Sequence, residues 1–290
     1  MLDRRTFIVA AVAIGPGCAA GPAPENRVTL DLARLQARLG PGGRLGVAAF
    51  DSGSGRWLGH DEHSLYAMAS TFKWALAAAI LKEVEAGRLS LEQEIGFGAA
   101  DLVPYAPVIE ANLAEGRLSI ERLCAAIVEV SDNAAANLLL ARIGGPAGLT
   151  HFFRRCGDPI SRLDREEPEL NSNLPGDPRD TTSPAAMVGL MRSLLLGNTL
   201  GPASRALLFG WMEGATTGLQ RLRAGFPANW RSGDKTGNGA NGAANDVAMT
   251  IPPGRAPILV ACYQSEGNAE QAVRDGVHSE VARRVMAAFA

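Results

Sequence analysis

The globular part of the chain begins with apolar residues at helical spacing and then changes to short apolar runs. Leucines recur at that spacing over 29–39 and predict a helix, which ends at the Gly-Pro-Gly-Gly sequence that follows. Apolar runs at 45–50 and 56–59 flank a polar, Gly-rich stretch and predict two strands joined by a hairpin turn. A helix beside a β-hairpin is therefore expected at this end of the chain.

From residue 70 to residue 214 the pattern is almost entirely helical. An Ala- and Leu-rich helix is predicted over 70–85, and Gly87 ends it. The same spacing predicts further helices over 120–130, 133–143, 149–156, 184–196 and 204–213. The exception is the stretch 161–182, whose three prolines and many acidic or amide side chains predict a long polar loop.

After residue 214 the pattern returns to strands. They are predicted at 230–232, 243–251 and 258–263. A last helix is predicted over 276–290. The fold class is therefore α+β, with an antiparallel sheet flanked by N- and C-terminal helices and an inserted all-helical lobe. We assign 25–65 and 215–290 to the sheet-and-helix lobe and 66–214, with its polar omega-type loop 162–180, to the helical lobe.

The N-terminus has the pattern of an export signal. Arg4 and Arg5 precede a short apolar run and then small residues and prolines, which predicts a signal of twin-arginine type over 1–24. The run is shorter than the about 20 residues that span a bilayer. We expect an exported, periplasmic protein. Cys18 is a candidate for lipid anchoring at the cleavage point, although Gly15 stands where lipoproteins prefer Leu.

Composition and charge argue against nucleic acid and anionic membranes as partners. With 290 residues, 47% of them apolar, the chain can build a large buried core. A formal net charge of -2 without a cluster of Lys or Arg gives no footprint for nucleic acid or an anionic membrane. Neither partner is expected.

The cysteines and histidines do not predict a metal site. Cys124, Cys156 and Cys262 follow neither a zinc pattern nor a disulfide scaffold, and buried thiols are the plain interpretation. His60 and His63 lie in one short loop with no third ligand evident. We therefore expect no metal and no cofactor.

The lysines are the first sign of chemistry. Only three occur beside twenty-five arginines, and Lys73 and Lys235 lie in the polar sequences Ser-Thr-Phe-Lys and Asp-Lys-Thr-Gly. A buried lysine can lose its proton, whereas arginine cannot, so an amine retained in an arginine-rich chain marks candidate chemistry. Chance remains the alternative, and it suits Lys82 in its amphipathic helix.

Ser70 and Lys73 lie three residues apart at the start of a predicted helix. Their side chains therefore share one face, which places a hydroxyl beside an amine and near the N–H groups of the helix terminus. Each further polar motif of the chain is explained equally well by a helix cap, a turn or a solvated loop when it is taken alone. The joint order of the motifs decides the interpretation.

Four short motifs, in order, resemble the class A serine β-lactamases. They are Ser-x-x-Lys at 70–73, Ser-Asp-Asn at 131–133, Glu-x-x-x-Asn at 167–171 in the polar loop, and Lys-Thr-Gly at 235–237. The resemblance covers the chain from about residue 28 onward. It implies the fold of that family, a β-lactam substrate and a monomer.

The resemblance implies a role for each catalytic residue. Ser70 would be the acylated nucleophile, and Lys73 would help to remove its proton. Ser131 would pass a proton to the lactam nitrogen. Glu167, aided by Asn171, would position and deprotonate the water that hydrolyses the acyl-enzyme. Whether Lys73 or Glu167 takes the first proton stays open.

The resemblance also implies the groups that bind substrate. Asn133 would contact the side-chain amide of the substrate, and the backbone N–H groups of Ser70 and Asn238 would form the oxyanion hole. Lys235 and Thr236 would hold the substrate carboxylate.

Three further positions complete the implied binding site. Tyr105 would line the entrance, and Thr217 would lie near the carboxylate. Arg221 is expected to take over carboxylate binding, because Ala244 stands where many members of the family have an arginine.

In the polar loop, Arg165 and Asp180 are expected to form an ion pair that closes the loop. Glu166, where the family commonly has Trp, stands beside the implied catalytic glutamate and is a second candidate for its role. Ala69 and Gly239 occupy the positions that form a disulfide in class A carbapenemases, which argues against carbapenem hydrolysis.

Two other functions are alternatives. A penicillin-binding D,D-peptidase shares Ser-x-x-Lys and Lys-Thr-Gly but lacks a loop glutamate aimed at the acyl ester, so Glu167 with Asn171 favours the β-lactamase. A non-catalytic β-lactam sensor or cell-wall binding module would need a membrane-spanning signalling segment, and the apolar runs of this sequence are too short for one.

Overall fold

A mixed six-stranded sheet forms the centre of the computed structural model, which describes residues 27–29 and 32–290. Ten strands lie in this part of the chain: β1 (Arg27–Thr29), β2 (Arg44–Asp51), β3 (Trp57–His60), β4 (Tyr66–Ala67), β5 (Glu94–Gly96), β6 (Arg117–Ser119), β7 (Thr181–Thr182), β8 (Arg231–Asn238), β9 (Ala244–Ile251) and β10 (Ile258–Ser265). The sheet has the order β1-β3-β2-β10-β9-β8, and its pairs are antiparallel except for the parallel pair β1-β3. Both ends of the chain therefore contribute to one sheet, as predicted.

The helices cover both faces of this sheet. Within the described residues they are α1 (Ala33–Ala37), α2 (Phe72–Glu85), α3 (Pro107–Ala111), α4 (Ile120–Glu129), α5 (Asn133–Leu140), α6 (Gly145–Arg155), α7 (Pro184–Met191), α8 (Pro202–Glu213) and α9 (Gln271–Phe289). One face packs against α1 and α9 around buried leucines and valines. The other face packs against the helices between β3 and β8.

The N-terminal helix is shorter than the leucine spacing predicts. Helix α1 spans Ala33–Ala37, and Thr29 instead pairs with Gly59 in the parallel ladder of β1 with β3. Leu32, Leu35 and Leu39 are nevertheless buried, so the apolar spacing reports the face that packs on the sheet. The prediction was right about burial and wrong about where the helix begins.

The inserted segment is mostly helical but not all-helical. Two short ladders, which the sequence analysis missed, lie within it: β4 pairs with β7, and β5 pairs with β6. Strands of two or three residues are too short to show an alternating pattern. The β4-β7 ladder matters for function because it joins the segment before Ser70 to the end of the long loop.

Helix α2 is the axis of the inserted segment. All ten of its residues from Phe72 to Leu81 are buried, and only its last turn reaches the surface. The many alanines allow close approach of the surrounding helices, which pack against α2 from several sides. The first turn of this helix, with Ser70 just before it, is therefore held rigidly at the centre of the protein.

Strand β8 is longer than its sequence predicts. The apolar pattern marks only 230–232, whereas the strand spans Arg231–Asn238. Its middle residues, Asp234, Lys235 and Thr236, are polar and yet buried. No alternation of apolar and polar positions therefore predicts a strand there. Such a strand is expected only where buried polar groups have partners.

Three further observations concern the described residues only. No helix there is long and apolar enough to cross a membrane. No group of three or more His, Cys, Asp and Glu side chains is placed to hold a metal ion. Cys124, Cys156 and Cys262 are free thiols. The predicted export signal, with Cys18, lies outside the described residues.

Candidate active site

Ser70 lies in a tight helical turn, Ala69–Thr71, which leads directly into α2. Ala69 has a φ of 43°, a backbone conformation that side chains other than glycine rarely adopt. Thr71 fixes the turn from inside, because its hydroxyl donates to Met68 O at 2.8 Å and contacts Tyr263 Oη at 3.0 Å. The turn therefore presents the Ser70 hydroxyl at the edge of a cavity.

Glu167 is the group nearest the Ser70 hydroxyl in this arrangement. Ser70 Oγ donates to Glu167 Oε1 at 3.2 Å, and Lys73 Nζ contacts the same oxygen at 2.9 Å. The side chains of Lys73 and Glu167 are completely buried. Ser70 Oγ and Lys73 Nζ thus both contact one carboxylate oxygen of Glu167.

Ser131 stands between the two buried amines. Lys73 Nζ donates to Ser131 O at 2.8 Å and lies 3.4 Å from its Oγ, while Lys235 Nζ donates to that Oγ at 3.0 Å. Ser131 has a φ of 65°, so the loop between α4 and α5 is bent to hold this position. A hydroxyl that accepts from an ammonium can donate its own proton to a third group in the cavity.

The neighbouring residues of the Ser-Asp-Asn motif fix that loop. The carboxylate of Asp132 accepts from the N–H groups of Val108, Ile109 and Ala135, which caps α5 and attaches the loop that carries Tyr105. Asn133 Nδ2 donates to Pro104 O at 2.8 Å. The helix-cap interpretation of this motif was therefore correct for Asp132, whereas Asn133 lines the cavity.

Asn133 also contacts the buried amine, since its Oδ1 accepts from Lys73 Nζ. Lys73 thus lies among three oxygen acceptors, from Ser131, Asn133 and Glu167. Charge-assisted hydrogen bonds of this kind are needed to hold an ammonium away from water.

The long loop positions Glu167 through two asparagines. Glu167 N donates to Asn137 Oδ1 at 3.0 Å, and Asn137 Nδ2 donates to Glu167 O at 2.9 Å. Asn171 Nδ2 donates to Glu167 Oε2 at 2.5 Å. The backbone and the carboxylate of Glu167 are therefore fixed independently, and Oε1 remains directed at Ser70. Glu166 is exposed.

Sequence reasoning missed Asn137. This residue lies in the otherwise apolar sequence Asn-Ala-Ala-Ala-Asn-Leu-Leu-Leu of α5, where a single amide has no obvious partner. A polar side chain within a buried helix needs hydrogen bonds, so its presence was a detectable signal of a contact from elsewhere in the chain. The partner, thirty residues away, could not be identified from the sequence.

An ion pair closes the loop, as predicted. Arg165 Nε donates to Asp180 Oδ2 at 2.6 Å, and Asp180 Oδ1 accepts from the N–H groups of Asp164 and Arg165 at 2.7 and 2.9 Å. The side chain of Asp180 is completely buried. The loop therefore begins and ends at the same buried carboxylate.

Strand β8 forms the opposite wall. Lys235 Nζ also donates to Thr236 O at 2.8 Å, and the hydroxyls of Thr236 and Thr217 contact each other at 2.6 Å. Gly237 lies so close to the Ser70 turn that a Cβ atom would be 2.8 Å from Met68 O and 3.1 Å from Ser70 N. Only glycine allows the strand to approach the turn in this way.

Arg221 is buried, and protein groups occupy each of its nitrogens. Nε donates to Asp275 Oδ1 at 2.8 Å, Nη1 to Asn245 O at 2.7 Å and Nη2 to Asn238 Oδ1 at 2.5 Å. Because a guanidinium only donates, the Asn238 amide is held with its oxygen toward Arg221 and its Nδ2 donor turned away. Asn238 lines the cavity, whereas Arg221 lies behind it.

These residues enclose a cavity of about 240 Å³. Its lining residues are Ser70, Tyr105, Ser131, Asn133, Asn171, Thr217, Thr236, Gly237 and Asn238. Tyr105 is exposed at the rim and has a φ of 65°. The cavity therefore has a nucleophile at its base, hydroxyl and amide donors on its walls and an aromatic ring at its mouth.

Burial governs the protonation of the two amines. Burial lowers the pKa of Lys73, and the adjacent Glu167 carboxylate offsets part of this effect. Burial also lowers the pKa of Lys235 well below its usual range, and the charge of Lys73 acts in the same direction. Both amines are thus brought closer to the neutral form, in which an amine can accept a proton.

A buried carboxyl pair lies behind Lys235. Burial raises the pKa of Asp234 to about 6, although Arg223 opposes the shift. Burial also raises the pKa of Asp246 well above its usual range, and the charge of Asp234 adds to this. The pair therefore retains a proton at pH values where an exposed aspartate has lost it.

Fold and cavity together define a class of protein: a serine hydrolase in which the acylated serine shares one buried site with an amine and a loop glutamate. Comparison with known proteins agrees. A model of the β-lactamase enzyme family matches residues 31–289. The chain belongs to this family and is a class A β-lactamase, an enzyme that hydrolyses the β-lactam ring.

The similarity extends over nearly the whole chain. β-Lactamase AST-1 of Nocardia asteroides is 41% identical, over 99% of this chain and 96% of its own length. The carbapenem-hydrolyzing β-lactamase KPC of Klebsiella oxytoca is 44% identical, over 88% of this chain and 85% of its own. The solved structure of an ancestral class A β-lactamase superposes with a TM-score of 0.87 at 51% identity, covering 89% of this chain and 98% of that one.

We expect Asp234→Asn to change how stability depends on pH. An aspartate ordinarily titrates at 3.8, so between pH 3.8 and about 6 the folded protein holds a proton that the unfolded chain releases. Stability conferred by that proton is present below this window and is lost as the pH rises through it. The unfolding free energy of the variant minus that of the parent should therefore rise by roughly 1–3 kcal/mol between about pH 4 and about pH 7.

Urea unfolding at several pH values measures this difference. Gln93→Ala, at an exposed and uncharged position, is the control, and its difference from the parent should stay constant with pH. A difference between Asp234→Asn and the parent that stays constant with pH would contradict the proton-sharing pair.

Proposed function

We propose that this β-lactamase acts on penicillins and cephalosporins through an ester of Ser70, which water activated by Glu167 hydrolyses. The supporting observation is the shared oxygen Glu167 Oε1, which contacts both Ser70 Oγ and Lys73 Nζ. A carboxylate at this position can receive the serine proton and later that of a water. The cavity has the size and the donors for a small bicyclic substrate with one carboxylate.

In the proposed acylation, Ser70 Oγ attacks the lactam carbonyl carbon as its proton leaves. The hydroxyl already donates to Glu167, so Glu167 can receive that proton directly, and Lys73 contacts the same oxygen. When the C–N bond breaks, Ser131 donates a proton to the ring nitrogen, and Lys235, which donates to Ser131 Oγ, favours this transfer. The proton that Glu167 received then passes to Ser131 Oγ through Lys73 Nζ, which contacts both groups, so Glu167 is a carboxylate again before deacylation.

In the proposed deacylation, a water attacks the ester carbon and Glu167 takes its proton. The carbon–oxygen bond to Ser70 then breaks, and the proton held by Glu167 passes to Ser70 Oγ, the hydrogen-bond partner of its Oε1. Asn171 holds Oε2 of the glutamate, so Oε1 remains available for the water. This loop is what a penicillin-binding peptidase lacks, and it favours hydrolysis over a stable adduct.

Substrate binding is proposed to use the remaining cavity residues. The carboxylate of the substrate would accept from Thr236, Thr217 and the ammonium of Lys235. The amide of Asn238 would add a donor from its Nδ2, because Arg221 holds its oxygen. Arg221 would thus support the carboxylate through Asn238, a more indirect role than the sequence predicts. Asn133 would contact the acylamino group of the substrate.

We expect Glu167→Ala to trap the acyl-enzyme. Without the Glu167 carboxylate, which raises the pKa of Lys73, burial keeps this amine nearer its neutral form, so Lys73 can take the Ser70 proton and acylation continues. Deacylation loses its general base and slows by about 10²–10⁴-fold. Intact-protein mass spectrometry with benzylpenicillin should show a stable adduct of one substrate mass, and tryptic mapping should place it on the peptide that contains Ser70. Glu166→Ala is the matched control, because this adjacent carboxyl is exposed, and it should turn over without an adduct. The reverse pattern would contradict the assignment of Glu167.

Export is proposed on the sequence alone. The twin arginines Arg4 and Arg5, followed by a short apolar run, support periplasmic delivery. The proposal that the enzyme is a monomer rests on the family resemblance alone. Replacing both with lysine keeps the charge but removes the guanidinium pair, and we expect the enzyme then to remain in the cytoplasm. Fractionation of cells that express the parent and the variant, followed by activity assays, measures this. Equal periplasmic activity in both would contradict a twin-arginine route.

A further inference from the structure

Another cavity, of about 300 Å³, lies where α6 leads into the long loop, and we call it the loop-base cavity. The link 156–160 lines it on one side and α7 on the other, and His63 contributes to its wall. None of its lining residues lines the active-site cavity. A molecule bound here would therefore leave Ser70 accessible to substrate.

Asp158 contributes to this cavity a buried carboxyl group that is only half satisfied. Its Oδ1 accepts from Ile160 N at 2.8 Å and from Ser161 N at 3.0 Å, whereas its Oδ2 has no hydrogen-bond partner among the described residues. The residue is only 4% exposed. Buried carboxylate oxygens normally have a donor, because an unpaired one is unfavourable. A donor group of a ligand in the cavity would supply the missing partner.

The link that carries Asp158 is fixed on both sides. Asp158 N donates to Phe153 O at 3.0 Å, and Arg154 Nη1 donates to the backbone oxygens of Asp158 and Ser161, both at 2.7 Å. Arg154 therefore binds the backbone of Asp158 and not its carboxylate. The hydroxyls of Ser161 and Thr182 contact each other at 2.6 Å, which joins the link to the segment before α7. The cavity is thus preformed, and preformed sites favour binding.

Small residues keep the wall at α7 open. Gly189 lines the cavity, and a Cβ atom added to it would have no atom within 4 Å. Glycine is a poor helix former, so its place within α7 is unfavourable on local grounds. Ala185 and Ala186 bring only a methyl group each, and Ile160 and Leu190 add apolar surface. The cavity therefore combines one unpartnered acceptor with apolar walls.

We propose that the loop-base cavity is a second binding site, which takes a small primary ammonium with a compact apolar body. The ammonium would donate to Asp158 Oδ2, and the apolar body would lie against Ile160, Leu190 and the alanines of α7. A cation suits this site and an anion does not, because an ionised carboxylate only accepts hydrogen bonds and binds charged donors most strongly.

Cys156 reports occupancy of the site, because it lines the cavity. Within the described residues it is the partly exposed free thiol, since Cys124 and Cys262 are buried. Burial raises the pKa of Cys156 to about 11, so its reaction with methyl methanethiosulfonate is slow enough to follow. This reagent modifies thiols and leaves amines intact. Mass spectrometry of the tryptic peptide that contains Cys156 gives the rate.

Benzylamine is the probe, and benzyl alcohol and phenylacetate are its neutral and anionic counterparts. We expect benzylamine to slow the modification of Cys156 in a saturable manner, with half-maximal protection at about 1 mM for so small a ligand. Benzyl alcohol should need about tenfold more, because it lacks the charge that strengthens the hydrogen bond. Phenylacetate should not protect Cys156, because its carboxylate would face that of Asp158.

Asp158→Asn and Gly189→Leu test the two parts of the site. Asparagine keeps an oxygen for the N–H groups of Ile160 and Ser161 but replaces the unpartnered acceptor with a donor, so protection should need about tenfold more benzylamine. Leucine fills the space beside α7 and favours the helix, so protection should be lost. Glu115→Gln is the matched control, because it removes one negative charge at an exposed position outside the cavity, and it should behave as the parent.

Each result is the ratio of the rates with and without ligand, so a changed basal reactivity of Cys156 does not affect it. Absence of protection by benzylamine in the parent, equal protection by phenylacetate, or protection that persists in both Asp158→Asn and Gly189→Leu would overturn the proposal. Urea unfolding shows whether each variant folds. If Asp158→Asn does not fold, Gly189→Leu and the three ligands decide. The measurement involves no turnover, so its outcome is independent of the proposed mechanism.

Discussion

The buried contact between Lys73 and Glu167 is the interaction on which the rest of the site depends. Two completely buried charges lie 2.9 Å apart, and removing one would leave the other unpaired at a cost of about 3–5 kcal/mol. The contact is tolerated because Ser131, Asn133 and Asn171 supply further hydrogen bonds to the two groups. The same contact places a carboxylate oxygen beside Ser70. The two charged groups that are unfavourable to bury are therefore the groups that take part in the reaction.

Segments from distant parts of the chain must meet for this contact to form. Helix α2 brings Ser70 and Lys73 from the centre of the core, the α4–α5 loop brings Ser131, and the long loop brings Glu167. Strand β8 closes the arrangement with Lys235, which shares Ser131 with Lys73. The rigidity of α2 and of the sheet fixes two of these segments. The long loop depends on the ion pair at its ends, on Asn137, and on the hydrogen bonds from Asn173 to the turn between β8 and β9.

The motifs that carry chemistry could be predicted from the sequence because each is a short run with a fixed local geometry. Ser70 and Lys73 needed only the helical spacing, and the pairing of Arg165 with Asp180 followed from the family resemblance. Contacts between distant segments could not be predicted in this way: Asn137 with Glu167, Asn173 with Asn241, and Arg221 with Asn238 each join residues whose sequence neighbours give no hint of the partner. The polar middle of β8 was missed because burial there rests on hydrogen bonds and charges, not on an apolar pattern.

The requirement for an amine at position 73 is tested most directly by exchanging each lysine for arginine. Lys73→Arg keeps the positive charge but replaces a compact group that can lose its proton with a planar guanidinium that cannot. We predict that kcat/KM for benzylpenicillin falls by about a hundredfold or more in Lys73→Arg and stays within about twofold of the parent in Lys82→Arg, whose side chain is partly exposed. A folded Lys73→Arg variant with parental activity would contradict the account.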